Sequence, residues 1–401
     1  MPLQEKPPLG LGIYFHIPFC PTLCDFCAFY KNLPDRQALQ RYLTAMTREV
    51  NLLPQSRAFD TVFWGGGTPS LLHPDQLVDL ARALPHSDAI CEWTVEAAPA
   101  SINRRKLETL RQLGVTRLSI GVQSFQPELL DRLGRHHSRA QAIRAYETAR
   151  EVGFDSVNLD LMFALPGQSP TDLLLDLQEA IALAPDHLST YCLTFEEDTA
   201  LFIRLSQGKV HRDIDNEVDL YRLGWETLEA AGYQQYEISN FSRPNHNCLH
   251  NLNTWMMGEW IGYGPSASSQ LDNQRYTNTP DLHRWIDGIS HGRPDRVDQM
   301  PLTKHLLAVD RLIFGLRLSR GVPLAGFSDT TFSPTEQIAL SRLVDQLLGA
   351  RFAEERSGNL TLTLEGRLRC DAIGSEILAA TDTEYPAPHP EPQRDLLSLT
   401  A

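Results

Sequence analysis

The chain has 401 residues, 42% of them hydrophobic and 21% charged, with a formal net charge of −14. That length suits two or three domains, and the acidic balance excludes a broad nucleic-acid or anionic-membrane footprint, which needs a basic face. No apolar run of membrane-spanning length is visible. The N-terminal segment, 1–10, is Pro-rich and polar, without the charged start and apolar core of a secretory signal.

Short β-branched or aromatic runs at 11–17, 59–64, 92–96, 116–122, 156–162 and 187–194 predict strands. Helical periodicity separates them, as at 35–53, 74–84, 138–152 and 170–184. Six strand–helix units in a row imply parallel strands with helical crossovers. The class is α/β, and a (β/α)6 partial barrel over 11–210 fits best; a doubly wound open sheet is the alternative. A break at 208–215 precedes a helix at 216–231 and a strand at 234–239. The stretch 240–270, rich in Asn, Gly, Trp and His, reads as ordered loops, so 211–280 is taken as an extension of the barrel. Helical periodicity at 281–289, 304–318 and 334–348, a hairpin element at 359–364 and a helix at 366–379 predict a small C-terminal helical, winged-helix-like domain over 281–380. The tail, 381–401, carries Pro386, Pro388, Pro390 and Pro392 and reads as disordered.

Of the seven cysteines, Cys20, Cys24 and Cys27 are clustered, while Cys91, Cys192, Cys248 and Cys370 are scattered. This is no disulfide framework, and it points to a reducing cytoplasmic setting. The cluster lies in Tyr14-Phe15-His16-Ile17-Pro18-Phe19-Cys20-Pro21-Thr22-Leu23-Cys24-Asp25-Phe26-Cys27, just after the first strand, at the end where barrels place their chemistry. Three thiolates on a 4Fe–4S cube leave one iron open to a small chelating molecule, and the amino and carboxylate groups of S-adenosylmethionine suit it. The competing reading is a zinc site with His16 as fourth ligand.

Trp64-Gly65-Gly66-Gly67-Thr68-Pro69-Ser70 follows the second strand, and its glycines allow a close backbone approach to a ligand or a tight turn. Glu96, Gln123, Arg135 and Asp160 fall at successive strand ends and form a candidate polar lining. Carboxylates there suit ribose hydroxyls, and Arg135 suits a carboxylate. The three-cysteine loop, with aromatic Phe26 before its last cysteine, resembles the radical S-adenosylmethionine superfamily, whose fold is a (β/α) barrel, usually partial. In that superfamily the glycine run meets the amino group of S-adenosylmethionine.

The cysteine loop, residues 65–70, Arg117-Leu118-Ser119-Ile120-Gly121-Val122-Gln123-Ser124-Phe125 and Asn158-Leu159-Asp160-Leu161-Met162 also look like the oxygen-independent coproporphyrinogen oxidase group. The resemblance spans 11–380. It implies S-adenosylmethionine contacts at Tyr14, Phe26, Gly66, Gly67, Thr68, Glu96, Gln123, Arg135, Asp160 and Thr194. Within the group, the oxidase branch carries a further cysteine two residues after the third, where this chain has Phe29, and a longer N-terminal extension. The haem-chaperone branch carries a motif resembled by His250-Asn251-Leu252-Asn253-Thr254-Trp255, with Thr254 in place of a tyrosine. That resemblance implies a haem chaperone with a 4Fe–4S cluster and S-adenosylmethionine, His250 as axial ligand and His246 and Cys248 as rivals. It also implies haem-acceptor proteins, an electron donor such as flavodoxin or ferredoxin, and membrane contact only through an acceptor. The other reading is a radical enzyme oxidising coproporphyrinogen III. Two smaller departures are alanines at Ala98 and Ala164, where the group commonly has asparagine and glycine.

Overall fold

Six strand–helix units open the chain: β1 (Leu11–Ile17) and α1 (Arg36–Leu52), β2 (Phe59–Gly66) and α2 (Pro74–Ala83), β3 (Glu92–Ala97) and α3 (Arg104–Gln112), β4 (Arg117–Gln123) with α4 (Pro127–Arg132) and α5 (Arg139–Val152), β5 (Ser156–Phe163) and α6 (Pro170–Leu183), then β6 (His187–Cys192) and α7 (Ala200–Ser206). The computed structural model describes residues 10–52, 57–85 and 90–383. In it β1 to β6 pair in parallel and in consecutive order. A doubly wound sheet reverses its order at a switch point. No reversal occurs here, so the partial barrel stands and the alternative falls.

The strands do not read as the continuous apolar runs usual in parallel sheets. Ile13, Phe15, Ile17, Trp64, Leu118 and Leu159 point outward and pack on helix residues such as Tyr42, Met46, Leu77 and Leu107. Phe15 and Trp64 stack with centroids 5.9 Å apart. The alternate positions face inward and are polar: His16, Glu92, Thr94, Arg117, Asn158 and His187 are all buried. An apolar outside holds the helices, and a polar inside is left for a site.

After α8 (Ile214–Ala230), β7 (Gln234–Glu237) and β8 (Asn240–Ser242) add antiparallel strands beyond β6. The stretch expected as loops holds β8, α9 (Leu249–Trp255), β9 (Trp260–Tyr263) and β10 (Ser268–Leu271). Strand β9 pairs in parallel with β1, on the edge opposite β6. β10, β11 (Gln274–Asn278) and β12 (Arg296–Pro301) continue antiparallel from it. These strands are short and glycine-punctuated, which hides their period. A Cβ at Gly262 would come 2.2 Å from the Ser268 carbonyl, so only glycine permits this pairing. Helix α10 (Leu282–Ser290) returns to pack Trp285 against Tyr42 of α1.

A second core, with Val309, Leu312, Leu340, Leu360 and Ile377, joins α11 (Lys304–Arg317), β13 (Val322–Pro323), α12 (Pro334–Gly349), β14 (Ala353–Arg356), β15 (Asn359–Leu362) and, past the short α13 (Leu364–Arg367), α14 (Cys370–Ala380). The helix expected at 366–379 is two helices. Gly366 lies so close to the Phe352 carbonyl that a Cβ would come 1.9 Å from it, and the chain turns there before α14. The element at 359–364 is the middle strand of a three-stranded sheet, β13-β15-β14. Most of the N-terminal segment, 1–9, and most of the tail, 384–401, lie outside the described residues. No described helix is long and apolar enough to cross a membrane.

Candidate functional site at the barrel mouth

The cysteine loop leaves β1 and is pinned at its base. Cys20 N donates to the Asn32 carbonyl at 3.0 Å, and Asn32 N donates to the Pro18 carbonyl at 2.6 Å. Cys20 is buried, while Cys24 and Cys27 are half-buried, and all three thiols are free. Midway along the loop, Asp25 donates its N–H to the Leu133 carbonyl, accepts from Leu201 N, and pairs with Arg204. Burial pushes the Cys20 and Cys24 thiols up, opposed by the Thr68 hydroxyl at Cys20 and by Arg135 at Cys24.

The zinc reading loses its fourth ligand. His16 Nδ1 meets the Tyr14 hydroxyl at 3.1 Å and Nε2 meets the Tyr30 carbonyl at 3.0 Å, so neither ring nitrogen is open. Among the described residues no three His, Cys, Asp or Glu side chains come together as a single-ion site does.

The glycine run makes the tight turn, one of its two readings in the sequence. A Cβ on Gly65 would meet Glu96 at 3.0 Å, one on Gly66 the His16 ring at 2.6 Å, and one on Gly67 the Phe19 carbonyl at 2.7 Å and Cys20 Sγ at 3.0 Å. Gly66 also has φ +100°. Protein atoms fill the space a side chain would need, so the glycines let this turn lie against the cysteine loop. Gly67 N and Thr68 N then donate to the Ile17 and Phe19 carbonyls, both at 2.8 Å.

Those loops and the inner strand faces enclose a cavity of about 480 Å³. Cys20, Cys24 and Cys27 border it, as do Phe26, Gly66, Gly67, Thr68, Glu96, Gln123, Arg135, Asp160 and Thr194. Tyr14 does not border it and turns its hydroxyl to His16. Burial, then the charge of Asp160, pushes Glu96 up to about 8, while Gly66 N donates to it at 3.2 Å. Asp160 is raised by burial too, but it accepts from Asn158 Nδ2 at 2.8 Å and Ser119 Oγ at 3.1 Å. Gln123 is reached through a register shift between β4 and β5 and holds φ +66°, a strained conformation of the kind found at binding sites. Arg135 lies 5.8 Å from the Phe26 ring, with its buried Nε lacking a partner.

Sequence reasoning missed Lys31, Ser119, Tyr191 and Glu196, which also border the cavity. The inward alternation of His187, Ser189 and Tyr191 on β6 is the signal that points to Tyr191.

His250 is elsewhere. Gly12, Thr61 and Glu92, near the starts of β1 to β3, are in register with one another, and α9 closes that end of the barrel. His250 is only 6% exposed, its Nδ1 bonds Thr61 Oγ1 at 3.0 Å, and its ring lies 5.3 Å from that of Phe63. The Glu92 carboxylate accepts from Leu249 N at 2.8 Å and His250 N at 3.0 Å. Burial lowers His250 to about 4, so its imidazole is neutral at pH 7. In this conformation it is shut away from any flat macrocycle. Cys248 is fully buried, and of the three candidate ligands only His246 reaches solvent, with a third of its side chain exposed. Trp255 packs on Phe314 of α11 beneath Arg317.

A model of the radical SAM superfamily matches residues 14–180. The haem chaperone HemW of Bacillus subtilis is 33% identical over 376 residues, covering 92% of this chain and 98% of its own. That of Escherichia coli is 41% identical over 277 residues, covering 67% and 72%. The chain belongs to the HemW family of radical SAM proteins. The coproporphyrinogen III oxidase HemN of Escherichia coli has the same fold, with a TM-score of 0.80 at 24% identity, over 93% of this chain and 91% of that one. The resemblance carried by the cysteine loop and the strand motifs is therefore correct. Where the oxidase branch has its extra cysteine, the family member described here has Phe29, 70% exposed at the rim of the mouth.

Proposed function

We propose that this protein is a haem-binding chaperone that carries a 4Fe–4S cluster on Cys20, Cys24 and Cys27, with S-adenosylmethionine beside it. The supporting observation is the single cavity shared by those three thiols and nine of the ten contact residues read from the sequence. The residues fit both groups. Three thiols with no fourth ligand leave an open position, and the unpartnered Arg135 Nε suits a carboxylate. The carboxyls of Glu96 and Asp160 suit ribose hydroxyls and a cationic sulfur. When bound, the two groups supply reductive one-electron chemistry. The chain orients the carboxylate through Arg135, offers the carboxyls to the cation and ribose, and shields the mouth with Phe26 and Met162.

Haem, a haem-acceptor protein, a one-electron donor such as flavodoxin or ferredoxin, and a cytoplasmic setting belong to this reading. His250 as axial ligand requires α9 to leave the barrel floor. The test is a haem titration of the reconstituted wild type and of His250→Ala. The wild type is expected to develop a Soret band that His250→Ala changes. No band in the wild type removes the chaperone reading, and an identical band in both removes His250. An anaerobic assay that yields product from coproporphyrinogen III only when the three cysteines are present would replace it with the oxidase reading.

A further inference from the structure

A second cavity, of about 760 Å³, lies at the same end of the barrel. The β5–α6 loop, α7 and the segment 209–213 wall it. Its charge runs against that of the chain: Arg132, Arg204, Lys209 and Arg212 face it against only Asp213 and Glu217. Arg204 and Arg212 are engaged by Asp25 and Glu217. Arg132 donates to the Pro166 carbonyl at 2.5 Å and its charge acts on the Asp172 carboxylate, but among the described residues neither it nor Lys209 comes within salt-bridge distance of a carboxylate.

The feature that asks for a ligand is Gln168, 3% exposed and on the cavity wall. Its Oε1 accepts from Leu165 N at 3.2 Å, which fixes the orientation of the amide. Nε2 is then left buried with no partner, a costly state unless something accepts from it. Between the charges the surface is apolar, from Leu165, Phe195, Leu201 and Val210. The same residues pack with Phe26, Met162 and Leu193, which border the mouth. One apolar layer therefore separates the two cavities.

We propose that this cavity binds the carboxylates of an amphipathic anion, namely the propionates of a porphyrin, on Gln168 Nε2, Arg132 and Lys209. The identity of the anion as a porphyrin rests on the haem-chaperone reading but not on His250, because that residue lies at the barrel floor and this cavity at the mouth, so one macrocycle cannot engage both; the demand for anionic oxygens rests on the cavity. Arg204, whose partner Asp25 sits inside the cysteine loop, also lines this cavity.

The experiment is a fluorescence titration of the reconstituted full chain with metal-free protoporphyrin IX, its dimethyl ester and inorganic phosphate. Lys209→Glu lies on an exposed segment, and Gln168→Glu keeps the acceptor for Leu165 N. Each variant is expected to weaken protoporphyrin IX binding about tenfold, the loss of one charge-assisted contact. The ester is expected to bind weakly to every variant, and S-adenosylmethionine affinity is expected to stay unchanged. If wild type binds haem and the variants match it with both porphyrins, the cavity assignment falls and the chaperone reading stands. If the wild type takes up no haem, that reading falls and the porphyrin assignment with it. Phosphate that binds but is not displaced by protoporphyrin IX makes this a small-anion site and also overturns the assignment.

Discussion

At the scale of single residues, the departures from the group's pattern have physical content. Ala164 stands where glycine is common, and the structure gives it φ +59° at the end of β5. An L-residue in that region carries a steric penalty of roughly 1–2 kcal/mol that glycine escapes, partly offset by the entropy glycine loses on folding. Ala164→Gly is therefore expected to raise stability by about 0.5–1 kcal/mol in urea unfolding. A loss of stability would show that the Ala164 methyl group is needed for packing at the wall of the second cavity. The sequence showed this departure but not its sign, because φ is invisible to it. The glycine run at 65–67 has the same limit. Its residues were legible as special, but the atoms that exclude a Cβ, from His16, Phe19, Cys20 and Glu96, come from other segments.

Among the elements, α9 was the least legible. Seven residues show no usable period, and its anchors Thr61 and Glu92 lie more than 150 positions away. From its N-terminus a hydrogen-bonded column runs up the barrel. Cys248 N donates to the Tyr236 hydroxyl at 3.3 Å, which meets His187 Nε2 at 2.8 Å. His187 Nδ1 meets Asn158 Oδ1 at 2.7 Å, and Asn158 Nδ2 donates to Asp160 at 2.8 Å. The floor and the mouth are thus joined through buried side chains in one continuous network, where members depend on one another. Tyr236→Phe leaves a buried N–H and a ring nitrogen without partners. It is expected to cost about 1–3 kcal/mol in urea unfolding. A cost under about 0.5 kcal/mol, the range of ordinary surface substitutions, would mean that α9 is held without the column. The strands that build this network were readable because their apolar positions alternate; the pairing of β9 with β1 was not, since four residues carry too little pattern.

For the whole molecule, the polar interior that makes a site also sets the pH dependence of folding. Burial lowers His16, His137 and His250 to about 4, and His187 well below its ordinary value. Their contribution is complete above the unfolded value near 6.5 and is lost as pH falls toward 4. Burial raises Glu49 to about 7 and Glu96 to about 8. Their contribution is complete below the unfolded value near 4.5 and is lost as pH rises through 7 and 8. Between about pH 7.5 and 8.5 the histidines are almost wholly neutral in both states, so of these groups only the carboxyls act. The melting temperature of the protein without cofactors is therefore expected to fall across that window, and Glu96→Gln is expected to flatten the fall. A cationic ligand at the mouth favours ionised Glu96. Consequently any rise in melting temperature produced by S-adenosylmethionine should grow from about pH 7.5 to 8.5 in the wild type and stay level in Glu96→Gln. Equal slopes in the two proteins would separate Glu96 from the ligand, and would place the proton and the cation on different parts of the cavity wall.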